Sequence, residues 1–342
     1  MGFVKDRLMD NCKRLSRVDR SISTRLSSQV SSISRGRVDP IKSAFMQSDC
    51  VVIGSQAFVL SGSFVKTAGL RRDREEWLED VQDPDEIIRE LKAAPVRVDI
   101  LRFWQRIPET EPKYAFYHEW RHVAAIPITD YKSWWENQVN ANTRRLVRKC
   151  AKLGVTVGKT DFDDKLVLGI IGIFNESPVR RGKPFRHYLK DFENVKKEMS
   201  ADLDKSIFIT AYFGEELIGF IKLVFTDRYA MVTMILDKKS HHDKSPVNGM
   251  VAEAVKVCAE RKISFLTYTL WRKGGHGYFQ ERNGFQRIAV PEYYVPLTLK
   301  GELALRLGLH KGLRAAIPES LKGRLLALRA KWYSLKYPQT TA

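Results

Sequence analysis

The chain has 342 residues, 44% hydrophobic and 29% charged, which excludes a disordered or collagen-like chain and, at roughly 100–200 residues per domain, suggests about two domains. Lys and Arg number 58 against 40 Asp and Glu, and the resulting +18 raises three classes of partner: nucleic acid, an anionic membrane surface and phosphate-bearing ligands. No run approaches the ~18 apolar residues of a bilayer span, and four scattered cysteines make neither a disulfide framework nor a zinc ribbon.

The charge is segmental. Residues 1–50 carry +5, 131–160 carry +6 and 300–342 carry +7; the remaining residues balance. The first ten residues, MGFVKDRLMD, hold no apolar stretch of the secretory kind, so a reducing cytosol is the expected compartment.

Residues 1–50 are rich in Ser and Arg, poor in large apolar side chains, and predict a mobile or weakly helical arm. Residues 51–60 predict a strand. Residues 72–92 predict an acidic helix in which Trp77, Leu78, Val81, Ile87, Ile88 and Leu91 punctuate Asp and Glu. Pro95 to Ile100 and Tyr114 to Ile128 predict two more strands. The second contains His118-Glu119-Trp120-Arg121-His122, which fits the H-E-x-x-H pattern of zinc proteases. On a strand those histidines lie about 13 Å apart, too far to share a zinc, so no metal site is expected.

From Asp130 the pattern predicts a long helix capped by Ser133 and closed by Gly154. Arg144, Arg145, Arg148, Lys149 and Lys152 form a basic ridge on it. With one acidic residue in 131–160, i,i+4 ion pairs do not account for the ridge, and an anionic partner is expected. There follow a strand at 155–157, a helix from about Asp164 to Asn175, a polar loop at 175–188 and a helix at 191–203. A three-strand meander spans 207–236. The loop DKKSHHDKSPVNG then opens a helix from Val247 to Lys262. A strand at 263–270, a Gly-rich turn, a short helix ending at Asn283-Gly284 and strands at 285–297 complete the series. A meander followed by a β-α-β unit implies a mixed sheet, with a ligand where neighbouring strands diverge and a helix N-terminus faces the gap.

That order resembles the GNAT acyltransferase fold, and residues 131–298 resemble its Fem-like and BioF2-like branch. The matching pieces are TRRLVRKCAKLGVTV at 143–157, FGEELIGF at 213–220, DKSPVNGMVAEAV at 243–255 and FQERNGF at 279–285. The resemblance implies an acyl-CoA co-substrate, acetyl-CoA or another, whose pyrophosphate meets Lys244, Ser245, Val247, Asn248, Gly249 and Met250. Two departures stand out. Val247 replaces the middle glycine of the usual pyrophosphate loop, and Gln280 falls where many GNAT enzymes carry a tyrosine acid and Fem-like proteins a lysine.

Acyl transfer needs a base, an oxyanion stabiliser and an anion site for the carrier. The 175–188 loop offers Glu176 as base or acceptor-binding carboxylate, and Arg180 and Lys183 for an anionic acceptor, with Arg148 and Lys152 as further anion-binding groups. Tyr268 and Tyr278, with His276 between them, are candidates to protonate a leaving group. A solvated loop and half-buried tyrosines are the alternative. In the tail, Leu321, Leu325, Leu328, Trp332 and Leu335 make one apolar stripe, and Leu303, Ala304, Leu307 and Leu309 another; both fit either docking on the core or a membrane interface.

The expected architecture is therefore a mixed α+β, GNAT-like twisted sheet flanked by helices. A basic arm (1–50) and an N-terminal α+β subdomain (51–130) precede the acyltransferase domain (131–299), and a basic amphipathic helical tail (300–342) follows it. The expected function is transfer of an acyl group to an amine or hydroxyl of a small-molecule, sugar, peptide, glycoconjugate or lipid-linked acceptor. The expected place is the cytoplasm, peripheral to the inner membrane, with tRNA a less favoured partner. The competing reading is a non-catalytic, degenerate GNAT-fold protein that binds RNA or an anionic membrane surface.

Overall fold

The computed structural model describes residues 50–53, 56–70, 81, 83–272, 274–311, 323, 326–329, 332–333 and 336. The Ser/Arg-rich arm, the 72–80 portion of the acidic helix, and Leu321, Leu325 and Leu335 of the tail stripe lie outside them. The described residues fall into two compact units, one drawn from Met1–Trp120 and Pro291–Ala316, the other from Arg121–Val290 and Ile317–Ala342.

In the first unit, β1 (Cys50–Ile53) and β2 (Gln56–Ser61) pair antiparallel, as do β2 and β3 (Thr67–Leu70). The single strand expected over 51–60 is thus two. β3 runs parallel to β4 (Ile100–Trp104), and β4 pairs antiparallel with the Glu292–Pro296 end of β13 (Gln286–Pro296). Helix α1 (Pro84–Ala93) opens at Asp83, whose carboxylate accepts the Asp85 and Glu86 N–H groups, with Pro84 at the first helical position. Its Ile87 and Leu91 close on Phe58, Leu101, Phe103 and Tyr293.

The second unit carries the element order of the resemblance. The long helix expected from Ser133 is broken. Asp130 accepts the Ser133 N–H at 2.8 Å and caps a turn, Tyr131–Ser133, that continues as a π-helix, Trp134–Gln138. Val139 is extended, and Asn140 caps α2 (Ala141–Lys152) by accepting the Thr143 N–H at 2.8 Å. The break lets Trp134 bury completely and donate from Nε1 to the Asn283 carbonyl at 3.2 Å. Arg144 answers the carbonyls left by the break, donating to Trp135 at 3.0 Å and Val139 at 2.5 Å.

Then come β6 (Val155–Thr160), α3 (Asp164–Asn175), α4 (Phe192–Met199), β9 (Ser206–Phe213), β10 (Glu216–Phe225), β11 (Ala230–Asp237), α5 (Pro246–Glu260), β12 (Phe265–Leu270) and α6 (Gly275–Arg282). Two short strands, β7 (Val179–Arg180) and β8 (Lys183–Pro184), form a hairpin in the loop after α3. Strand β5 (His118–Pro127) carries the H-E-x-x-H residues in extended conformation, as alternation predicts. The sheet runs β6-β9-β10-β11-β12, with β5 beyond β12. β11 and β12 are parallel; β6, β9, β10 and β11 alternate antiparallel. β10 is buried on both faces, which its continuous apolar run requires. Its Lys222, fully buried, donates to the Met199 carbonyl at 2.6 Å and also to Ala201, closing the C-terminal end of α4. This is the GNAT-like mixed sheet flanked by helices.

Candidate functional site

β11 and β12 pair through Ala230↔Leu266 and Met231↔Thr267, yet continue to Asp237 and Leu270. Past these two pairs no register joins the described residues of the two parallel strands, the divergence at which such sheets are expected to take a ligand.

On β12, Tyr268 is 7% exposed, its ring edge-on to Phe279 at 6.2 Å and tilted against Phe285 at 6.0 Å. Burial pushes its phenol above the usual value; a hydrogen bond from Arg181 and the charges of Arg181 and Arg272 pull against that without cancelling it. The group is therefore a protonated hydroxyl at neutral pH, with the charge of Arg181 acting on it.

Arg181 reaches this position through an unusual turn. It and Gly182 have φ of 54° and 67°, the signature of a type I′ turn, and they join β7 to β8. Positive φ is uncommon for arginine, so the loop holds it against preference.

Glu176 and Arg180, expected to meet the acceptor, anchor the loop. The Glu176 carboxylate accepts the Lys239 N–H at 2.7 Å, the Ser240 N–H and hydroxyl at 2.9 Å each, and Arg180 Nη2 at 3.2 Å. Burial alone would raise its carboxyl, but these donors outweigh burial and hold it below the ordinary range. A carboxyl held this low and bonded on all sides stays ionised and holds the loop in place. Arg180 also donates to the Ile173 carbonyl at 2.8 Å and the Asp237 carbonyl at 3.0 Å, and lies over Phe185. The arginine whose charge acts on Tyr268 is its neighbour, Arg181. Lys183 stands on the exposed strand β8.

At the start of α5, Ser245 has φ 58° and Pro246 takes the first helical position, where no N–H is needed. Lys244 lies over Phe213 at 4.8 Å. Asn248 donates to Asn283 Oδ1 at 3.1 Å, and Val247 is half-buried. Gly249 faces inward: a Cβ there would stand 2.9 Å from Cys150 Sγ and 3.2 Å from Val157 Cγ2. Met250 is fully buried. The glycine serves close packing of α5 on α2 and β6. Asp237, buried at the end of β11, accepts from His242 Nδ1 at 2.5 Å; burial raises its carboxyl, with the His242 contact opposing.

Gln280 is fully buried. It donates from Nε2 to the Tyr268 and Leu270 carbonyls at 3.2 Å each, and its Oε1 accepts the Arg272 N–H at 3.2 Å. It closes the end of β12 and has no surface for chemistry. Tyr278 is 55% exposed, with the Arg282 guanidinium stacked 3.6 Å from its ring centre. It lines an open pocket of about 600 Å³ with Trp271, Arg272, Gly274, Gly275, Gly277 and Glu281. Arg148 and Lys152 lie on the exposed face of α2, Arg148 over Trp135 at 5.6 Å. Among the described residues, no group of three His, Cys, Asp or Glu is placed to hold a metal ion, and no helix is long and apolar enough to cross a membrane.

No protein-family model matches the chain, and no curated protein matches it. Solved structures do. The C-terminal domain (DUF2156) of a protein from Agrobacterium fabrum described as a lysylphosphatidylglycerol synthetase superposes with a TM-score of 0.50 at 13% identity, covering 76% of this chain and 87% of that one. L-PGS from Bacillus licheniformis gives 0.47 at 13% identity over 69% of this chain and 80% of its own. FemX gives 0.46 at 11% identity over 76% and 90%. At these identities the likeness is one of fold, and the first superposition carries it.

Proposed function

We propose that the chain is an acyltransferase that works at the gap between β11 and β12, with residues 131–299 as its catalytic domain. The carrying observation is Tyr268: a buried phenol, protonated at neutral pH, one residue beyond the last pair of the parallel strands β11 and β12, with the charge of Arg181 acting on it. The acceptor is an amine or hydroxyl on a sugar, peptide or lipid-linked molecule.

Acetyl-CoA or another acyl-CoA supplies the activated acyl group when bound, and the positive start of α5 at Lys244 and Ser245 suits its phosphates, while the inward-turned Gly249 does not. The acceptor nitrogen or oxygen attacks the acyl carbon and forms the new bond as the acyl–carrier bond breaks; Tyr268 donates its proton to the departing sulfur or oxygen, and the proton that the acceptor loses restores the phenol through solvent. Arg181 holds the phenol oxygen in place and offsets the charge that the phenolate gains. Glu176 and Arg180 hold the loop that presents Arg181. The basic tail at 300–342 favours work in the cytoplasm at the inner face of a membrane.

A second reading, a non-catalytic GNAT-fold protein binding RNA or an anionic membrane, is favoured by Gln280, which spends the usual acid position on backbone carbonyls. Equilibrium binding of acetyl-CoA and of aminoacyl-tRNA to the purified full chain separates the two. Binding of acetyl-CoA, or of aminoacyl-tRNA in clear preference to the uncharged tRNA, supports acyl transfer. Binding of neither, with salt-sensitive RNA or liposome binding that survives Tyr268→Phe, selects the non-catalytic protein.

A further inference from the structure

In the first unit, the helix Leu299–Arg306, α7, is packed in an unusual way. Gly301 and Ala304 are buried, and a Cβ on Gly301 would stand 3.3 Å from Ile100 Cγ1 and run into the Asp99 backbone. The small residues thus seat the helix on β4, and its leucines are left outside. Leu299 is 86% exposed, Leu303 58% and Leu307 62%, a row at i, i+4 and i+8 along one face. Phe64, at the tip of the β2–β3 loop, is 69% exposed, and Lys300 lies 4.3 Å from its ring centre. Single exposed leucines need no explanation, but three in a row beside an exposed phenylalanine mark an interaction surface.

The charges around the row indicate what covers it. Between 299 and 311 the only acid is Glu302, against Lys300, Arg306 and Lys311. Arg306 pairs with Glu302 at 2.6 Å, Lys311 with Glu119 at 2.8 Å and Lys300 with Asp99 at 3.9 Å, Lys300 also donating to the Phe64 carbonyl; the side chains of Arg306, Lys311 and Lys300 stay 74%, 47% and 35% exposed, so the pairs of Arg306 and Lys311 are weak and free to exchange for phosphates, and Lys300 keeps part of its ammonium open to them. The chain then continues through residues 312–342 with six basic residues and one acidic. A second copy would bring two basic rims together, and the chain's own tail would add five positive charges to the first. Both are disfavoured by like charge; an anionic surface that also accepts apolar side chains is not.

We propose that Leu299, Leu303, Leu307 and Phe64 insert at the headgroup boundary of an anionic lipid bilayer, with Lys300, Arg306 and Lys311 meeting its phosphates. This rests on the membrane association proposed above and assigns its apolar contact to α7, at the start of the tail, and to the β2–β3 loop tip, in place of the 321–335 stripe.

Cosedimentation of the full chain with phosphatidylglycerol vesicles, against phosphatidylcholine vesicles, tests it, with the double variant Leu303→Glu/Leu307→Glu and, separately, Trp332→Ala. Leu303 and Leu307 are exposed, so the double variant keeps its fold, checked by circular dichroism. The expected result is binding to the anionic vesicles alone, weakened about tenfold or more by the double variant and weakened by salt. Equal binding by the double variant overturns the inference; if Trp332→Ala then releases the protein, membrane association stands and the tail supplies it. No vesicle binding by the wild type overturns both. A dimer that the double variant dissociates, or capture by an acidic protein without vesicle binding, overturns the inference in favour of a protein partner.

Discussion

The loop from Glu176 to Lys190 and the start of α5 look alike in sequence: each is polar, each holds glycine and basic residues, and each invites a ligand. The structure uses them in opposite ways. The loop buries Glu176 and Arg180 in a bonded anchor and so holds Arg181, at positive φ, against Tyr268. The start of α5 turns Gly249 and Met250 into the core and ties Asn248 to Asn283. Polar letters in a loop say that a site is near; which side of the backbone faces it depends on turn geometry.

The contrast breaks first at Tyr268. Tyr268→Phe removes the proton donor and leaves the packing, so kcat in an acyl-transfer assay falls about 100-fold or more, with KM changed far less and the melting temperature retained. Gly249→Val tests the opposite assignment. The added methyls meet Cys150 and Val157, so denaturant unfolding shows a loss of about 1–3 kcal/mol while affinity for acetyl-CoA in the remaining folded protein is kept. A selective loss of affinity would return Gly249 to the ligand surface. Glu176→Gln leaves the buried Arg180 without its counter-charge; we expect about 1–3 kcal/mol of destabilisation and a rise in acceptor KM larger than the fall in kcat.

The far end of the loop gives a subtler, pH-dependent effect. Burial would raise the Glu198 carboxyl, but His187 and Lys190, at 3.2 and 2.7 Å, outweigh it and hold the group at about 2. A folded value below the unfolded one stabilises the protein above the ordinary carboxylate range, and that contribution is lost as pH falls through the folded value. The melting temperature should fall between about pH 5 and pH 2, and Glu198→Gln should flatten that slope. The smallest effect is on α2: Arg148→Ala and Lys152→Ala should move stability by less than about 0.5 kcal/mol.

Much of the fold was legible. The 164–175 helix, the meander with its Gly214 turn and the strand at the H-E-x-x-H residues follow from periodicity and turn chemistry. The long helix from Ser133 was misread because helical spacing continues through Val139, while the need to bury Trp134 breaks the backbone there. The hairpin was missed because its strands have two residues each and its turn is Arg-Gly, without the Asn-Gly or Asp-Gly signal. For the same reason Arg180 and Arg181 could not be told apart. The roles of Arg144 and Gln280 rest on carbonyls left open by a helix break and a strand end, which no local pattern announces.

The most direct measurement is a crystal structure of the full chain with acetyl-CoA. The thioester is expected between β11 and β12, its sulfur within hydrogen-bonding reach of the Tyr268 hydroxyl and its phosphates toward Lys244. Acetyl-CoA bound with its thioester elsewhere, or the gap left empty at saturating acetyl-CoA, would contradict it.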